Sequence, residues 1–586
     1  MKKIKSIIII FVVSLLAGCQ NTLLDTTPYN SIGSTAMWTT ESLADLGVTG
    51  VYQILRQDYV GLNRWYFDQD GFTGMNRGAT ALTNGNITSS DGLFVNYWKQ
   101  NYEGIHRSNA AIKNIQEVAP LTPEKKGRLV AECKFLRALY YFNLNQVFKG
   151  VPVYLEPVVN LSDANKGRET EAKVWETIIT DLTDCINEPN LPNTYAKGNA
   201  NIGRVTKAAA YALRGKAFMY TKDFAKAEAD LRMVGTLGPQ LYQGDYKQLF
   251  KLANEQHPEM IFSVQNIATP GLGSVTQFYC GSRVSFGSCW DNYFPHPDFV
   301  ESFEKKDGSP FNWNDYLPGY NSMTPAQRAV FFLRDGLTPA EITSFTGKGA
   351  DMSKYLPTGN EARVKQAYED RDPRLTALVI TPYSTYLGAS GTNPYTYTLR
   401  WPYRGFDTSA PFDVKTDVNT FFYYLWRKWV YEGASETPAR DYGPIDQPLI
   451  RYADVVLLLA EAINEQGFKP EAVTLVNSVR TRAGAVALQS TNAALATFVN
   501  SQANMQERIR NERRWELALE GINLFDEMRW GTWKDKKFAP GNGIKQVWGT
   551  ITSPYSWRGD YISNWAIPQT EVEMNKNITQ NPGWIN

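Results

Sequence analysis

The feature that most constrains how this chain folds is a pair of small residues twelve positions apart, present twice. Gly215 and Ala227 form the first pair, and Ala460 and Ala472 form the second, more than two hundred residues later. Around the first pair, Tyr211, Arg214, Phe218 and Leu231 fall at helical spacing, with Pro239 beyond them. Around the second, Val456, Leu459, Ile463 and Val476 do the same. A separation of twelve places one small side chain on each of two antiparallel helices, so their axes approach closely. Agreement at two distant places makes the signal far stronger than either alone.

The first set matches the W, L, G, Y, A, F and P positions of the tetratricopeptide repeat. Elsewhere, Leu129, Cys133, Leu136, Tyr140, Leu144 and Val147 keep one apolar face over several turns. Residues 505 to 520 place Glu512, Glu516 and Glu520 at intervals of four among Arg510, Arg513 and Arg514, which reads as a solvated, salt-bridged helix face stopped by Gly521. From about 266 to 448 the character changes to Gly, Pro, Ser, Thr, Asn and aromatics without sustained period, as in Pro270–Ser274 and Trp401–Gly405. The expected fold is mainly α, a tetratricopeptide-like helical-hairpin scaffold with a loop-rich, mixed insertion carrying the ligand face. The expected boundaries are a leader at 1–18, an anchored segment with the first helix at 19–56, scaffold at 57–265, insertion at 266–448, scaffold again at 449–535 and a C-terminal segment at 536–586. A second loop-rich stretch, 57–95, belongs to the first scaffold part.

The N-terminus reads as an export signal. Lys2, Lys3 and Lys5 precede an apolar run, Ile7 to Leu16, too short to span a bilayer. Leu16-Ala17-Gly18-Cys19 then has the form of a lipobox, predicting diacylglycerol on Cys19 and membrane anchorage without a transmembrane helix. Loss of residues 1–18 removes three lysines and no acid, moving the formal charge from +1 to −2. A near-neutral surface gives no general attraction to nucleic acid. Three histidines and no CxxC pair argue against a metal centre, and no cofactor is implied. Cys133 and Cys185 fall in helical patterns as buried thiols, whereas Cys280 and Cys289 could bridge a loop.

Signatures of catalysis are lacking. There is no GxSxG elbow and no GxGxxG or GxxxxGK[ST] phosphate cradle. Asp68-Gln69-Asp70-Gly71 resembles part of a calcium loop, but its glycine comes two places early. Asp291 and Asp298 share a loop and are the pair a glycoside hydrolase would use, yet nothing singles them out among 59 acids. The expectation is a binding protein and not an enzyme.

Ordered fragments along the chain resemble the SusD/RagB family: Leu24-Asp25 through Pro28 after the lipobox, Ala131-Glu132 through Phe142 leading to Gly150-Val151-Pro152, and Asp372-Pro373-Arg374. Ile450 to Ala462, Asn477 to Gly484, Glu512 to Leu517, Phe525 to Trp530, and Ile567-Pro568 through Trp584 continue the likeness. The residues after Cys19, Gln20-Asn21-Thr22, depart from it in lacking the acids often linked to surface export. The resemblance implies four tetratricopeptide-like helix pairs, an outer-membrane lipoprotein facing the cell exterior, and delivery of oligosaccharides, or in some members peptides, to a SusC-like TonB-dependent transporter. Arg451, Glu461, Arg480 and Arg482 are expected on the hairpin helices as charged fasteners.

Sugars present apolar C–H faces ringed by hydroxyls, so a glycan site needs exposed aromatic faces flanked by carboxylate, amide and guanidinium groups. Two segments supply that mixture, Arg64 to Asp70 and Ser288 to Phe294 with Trp313 beyond. Family members build their ligand face from these two parts of the chain. The expected platforms are Trp65, Trp290, Tyr293 and Trp313, with Arg64, Asp68 and Asn292 as hydrogen-bonding partners. The aromatic content, 13% with 16 Trp and 32 Tyr, favours a glycan over a peptide.

Overall fold

The computed structural model describes residues 36–73, 80–405, 409–414, 423–434 and 439–585, without the side chains of Asn63, Arg64 and Phe67. Cys19 lies outside the described residues, as does the Arg64 side chain. Among the described residues no helix is long and apolar enough to cross a membrane.

The chain is mainly α-helical, as its periodicity requires. After α1 (Glu41–Tyr52) and α2 (Asn63–Thr73) come two helices of 26 residues, α3 (Gly92–Glu117) and α4 (Pro123–Phe148). Their starts are written locally. Asp91 accepts from the Leu93 N–H, and Thr122 accepts from the Lys125 N–H with Pro123 at the first helical position. Then follow α5 (Glu171–Asn187), α6 (Lys207–Thr221) and α7 (Phe224–Thr236). The pair α6–α7 turns at Lys222, in the left-handed region at φ +58°, and at Asp223, whose carboxylate caps α7. A methyl on Gly215 would lie 2.8 Å from Leu231, so this crossing requires glycine.

Strand β1 (Met260–Val264) opens the inserted segment. Inside it the elements are short: α8 (Asn360–Glu369), α9 (Arg374–Leu378), β2 (Val379–Ile380), the hairpin β3 (Thr385–Ser390) with β4 (Asn393–Thr398), and β5 (Leu425–Trp426), which pairs with β2. Strand β6 (Gln447–Arg451) closes the segment by pairing antiparallel with β1, Met260 opposite Arg451 and Val264 opposite Gln447. The scaffold then resumes with α10 (Tyr452–Glu465), α11 (Pro470–Arg482), α12 (Gln502–Glu516) and α13 (Asn523–Trp530). Each long helix packs on the next from α3 to α7, and α7 packs directly on α10. The helical row therefore continues across the insertion, whose two ends are tied at its base.

Two apolar cores result. One lies within the helical row; the other, rich in aromatics, lies within the insertion around Phe299, Phe303, Tyr368 and Trp426 and takes in Trp515 and Leu519 from the scaffold. Between them is a buried ionic seam. Glu512 and Glu516 are fully buried and Glu520 nearly so, which corrects the solvated helix face expected from their spacing. The insertion covers that face and brings counter-charges to it. Arg374, beside Asp372, reaches Glu512, and Lys428 donates to Glu520 at 2.6 Å. From the scaffold, Arg451 donates to Glu516 at 2.7 Å, to Glu520 at 2.7 Å and to Glu259 at 2.6 Å. Arg480 joins Glu512 to Glu304, and Arg482 joins Glu259 to Glu516. Arg451 ends β6 instead of lying on a hairpin helix, but it fastens the scaffold as expected, and Glu461 on α10 does likewise with Arg529 and Trp530.

Helix α12 also ends at Glu516, five residues before the expected stop at Gly521. Groups from elsewhere take its last backbone atoms. Arg451 binds the Glu516 carbonyl, Lys428 the Ala518 carbonyl, and the Asp70 carboxyl accepts from the Leu519 N–H.

Burial pushes the Glu516 carboxyl up, but Arg482, Arg451 and Arg374 outweigh it and hold the group at about 2. Glu516→Gln is expected to cost roughly 3–5 kcal/mol in urea unfolding at neutral pH, because it leaves buried guanidinium charge unmatched. In the wild type, stability from this group is present above the ordinary carboxylate range and is lost as pH falls toward 2, a decline the variant lacks. Asp70 has the opposite sign. Desolvation raises it to about 8 against the Leu519 N–H, so the folded state keeps a proton that the unfolded chain releases near pH ~4. Stability from this group falls as pH rises from about 4 to 8, and Asp70→Asn should flatten that part of the urea-midpoint profile.

Candidate functional site

The exposed aromatic surface is built from one stretch of the insertion folded back on itself. A short helix, Thr276–Cys280, leads into a turn, and residues 289–292 return alongside it. The Cys289 N–H donates to the Ser282 carbonyl at 3.1 Å, Trp290 to Phe278 at 3.0 Å, Asp291 to Gly281 at 3.1 Å and Asn292 to Tyr279 at 2.8 Å. The turn uses left-handed backbone at Gly287, Ser288 and Asp291, with φ of +81°, +56° and +50°. Glycine accepts that region without steric cost and aspartate more readily than most residues, whereas Ser288 enters it at some cost.

This pairing sets the rings in a row. Trp290 lies 4.7 Å from Phe278 between centroids, Phe278 lies 5.0 Å from Tyr279, and Tyr279 lies 6.1 Å from Tyr293. Trp290 remains 45% exposed, which is unusual for so large a ring, and Asn292 beside it is exposed too. The guanidinium of Arg440 sits 5.0 Å over the Phe278 ring and donates to the Gly287 carbonyl at 3.0 Å and to that of Ser288. It therefore fastens the turn to the ledge. At the other end the Tyr293 hydroxyl donates to Asp68 Oδ1 at 2.8 Å. That bond ties the ledge to α2 and brings together the two segments singled out in the sequence.

Two expected platforms are corrected. Trp65 is 2% exposed, packed among Tyr59, Tyr97 and Trp565, and Trp313 is 4% exposed, with its Nε1 donating to Glu301 at 2.9 Å. Both rings are enclosed by other aromatics and offer no face to a ligand. The ledge thus retains Trp290, Tyr293, Asp68 and Asn292 of the expected set and adds Phe278, Tyr279 and Arg440. The adjacent aromatic pair Phe278-Tyr279 was the signal in the sequence. No periodicity relates it to Trp290; only the return of the chain does.

The architecture and the ledge can now be set beside known proteins. The model of the SusD family matches residues 258–584, more than half of the chain. The chain belongs to the SusD family. A second model, described as starch-binding associating with outer membrane, matches residues 22–219. SusD-like protein P25 of Formosa agariphila is 24% identical over 90% of both chains. The starch-binding protein SusD of Bacteroides thetaiotaomicron is 25% identical over 80% of this chain and 75% of its own. Among solved structures, a SusD-like carbohydrate binding protein from Bacteroides fragilis aligns with a TM-score of 0.72 at 24% identity, covering 93% of this chain and 100% of that one. A laminarin binding SusD-like protein aligns at 0.63 with 21% identity, covering 93% and 100%. These structures share the SusD fold.

The two acids of the hydrolase reading both lie in constrained surroundings. Asp291 is buried at the turn. Asp298 is bound by Lys545 at 2.9 and 3.0 Å, and against the upward push of burial His296 and Lys545 hold its carboxyl below the usual range, the wrong direction for a general acid. Cys280 and Cys289, which could have bridged a loop, are free and buried, and Cys133 and Cys185 are the buried thiols expected, in α4 and α5. Burial pushes all four thiols up. In protein lacking residue 19, thiol reagents are expected to find almost no reactive group in the native state and four after denaturation without reductant. Two instead of four would establish a bridge.

Proposed function

We propose that this protein captures an oligosaccharide on the Trp290 ledge and passes it to a SusC-like TonB-dependent transporter, held at the outer membrane by acyl chains on Cys19 and facing the cell exterior. The observation that carries the reading is the exposed Trp290 ring on a SusD fold, packed 4.7 Å from Phe278 and flanked by hydrogen-bonding side chains. Names of relatives support it: one is a starch-binding protein, another binds laminarin, and one family model is described as associating with the outer membrane.

The ledge suits capture without chemistry. Trp290 gives a flat apolar face to the C–H side of a sugar ring, Tyr293 extends the row, and Asn292 and Asp68 meet hydroxyls at its edge. Two ties limit how far the platform must reorder on binding: the backbone bonds along 278–292 and the Tyr293–Asp68 bond to the scaffold. Covering the open part of an indole removes on the order of 100 Å² from water, worth roughly 2 kcal/mol.

The test is calorimetry of the lipid-free protein against plant, fungal, host and bacterial polysaccharides and mixed peptides, with reducing ends followed in the same samples. Saturable glycan binding without new reducing ends is expected. Trp290→Ala should weaken it about 10- to 30-fold with an unchanged melting temperature, whereas Trp65→Ala should lower the melting temperature. Binding of peptides alone, or release of sugar products, would overturn the reading.

A further inference from the structure

A large cleft lined by described residues lies away from the ledge. It has a volume of about 680 Å³, within the range of small-ligand sites, and opens between α8, α9, the 381–385 turn and Arg427. Its lining carries five cationic side chains, Lys247, Lys306, Lys365, Arg371 and Arg427, against the acids Asp245 and Glu369. Pairing does not remove the imbalance. Lys247 and Arg427 share the single carboxylate of Glu432, each at 2.9 Å. Lys365 meets Glu369 at 3.5 Å with both side chains half exposed, where ion pairs are weak. For Lys306 no carboxylate lies within ion-pair distance among the described residues.

Arg371 is the decisive group. Among the largest fully buried side chains are five arginines, and four of them, Arg374, Arg451, Arg480 and Arg513, each contact at least one carboxylate. Arg371 contacts none among the described residues. Its guanidinium lies 3.5 Å over the Phe311 ring and donates only to the carbonyls of Val300, Glu301 and Phe303. Glu301 senses it from beyond ion-pair distance and gives an oxygen to Trp313 instead. Its Nη1 has no partner among the described residues. Burial accordingly pushes this guanidinium down to about 10. A buried charge without a counter-charge is costly, and an anion lodged in the cleft would offset that cost.

We propose that this cleft is a second saccharide site, specific for sugars bearing carboxylate or sulfate groups. The proposal rests on the glycan-binding reading above. Lys306 and Lys365 meet the anion at the mouth, Arg371 supplies uncompensated positive charge beneath it, and Thr376, Ser384 and Thr385 offer hydroxyls for the neighbouring ring. Strand β3 links the cleft to the ledge. Thr385 lines the cleft and accepts from Arg427, while Ala389 donates to the Val284 carbonyl within the turn that carries Trp290. Those two strand residues are about 13 Å apart, so the strand that borders the cleft also supports the turn leading to Trp290.

The test compares galacturonate oligomers and sulfated galactan oligomers with neutral gluco-oligomers and with inorganic phosphate, by calorimetry at low and high salt. The expected result is that the double variant Lys306→Ala/Lys365→Ala loses at least tenfold in affinity for the acidic oligomers, keeps neutral binding, and that wild-type acidic binding weakens with salt. Arg371→Met should do the same, with its fold checked by circular dichroism. Acidic binding that is unchanged in the double variant overturns the site while leaving the Trp290 ledge standing. Phosphate binding as tightly as the oligomers reduces the cleft to a small-anion site and overturns the saccharide assignment. Absence of binding by any sugar, neutral or acidic, sinks the glycan reading itself.

Discussion

The two cores of this molecule are held in register by charge. Glu512, Glu516 and Glu520 project from α12 and the turn after it into the buried region between the two cores. Arginines and a lysine from four separate stretches converge on them. Such a seam is not strongly stabilising relative to a well-packed apolar one. What it supplies is position. Each guanidinium has a fixed fork geometry, and Arg451 alone satisfies Glu259, Glu516 and Glu520, so a shifted insertion would strand several buried charges together. The ledge inherits its place from this arrangement, because the stretch that carries Trp290 belongs to the segment the seam secures.

How much of this was legible in the sequence depended on the range of the interaction. Gly215 with Ala227 and Ala460 with Ala472 specify local helix crossings, and both stretches fold as adjacent helix pairs. Caps such as Thr122-Pro123 are equally local. The glutamates at intervals of four were misread because a solvated face and a buried ionic seam have the same spacing; only the distant partners Arg374 and Lys428 tell them apart. Trp65 and Trp313 failed for a related reason. An aromatic in a segment rich in loop residues looks alike whether it faces water or a core; Trp65 joins the core of the helical row and Trp313 that of the insertion.

Trp290 shows the converse. Its neighbours in sequence did not set its exposure; its backbone bond to Phe278 and the left-handed turn before it did. Arg440, over a hundred residues later, holds that turn through two carbonyls. Recognition surfaces in this protein are therefore local in their chemistry but remote in their support, and substitutions at supporting positions will alter binding without touching a ligand.

The β1–β6 ladder at the base of the insertion has a further consequence. Because residues 260–264 and 447–451 are already paired, whatever lies between them is a closed loop whose ends stay put. The entropy of closing a loop grows only with the logarithm of its length, about 0.6 kcal/mol for each doubling. Replacement segments of quite different size can thus be grafted above that ladder at small thermodynamic expense, provided they still carry the residues that meet Glu512 and Glu520. Diversification is cheap on one side of the ladder and costly on the other, which makes the architecture an inheritable socket for new specificities.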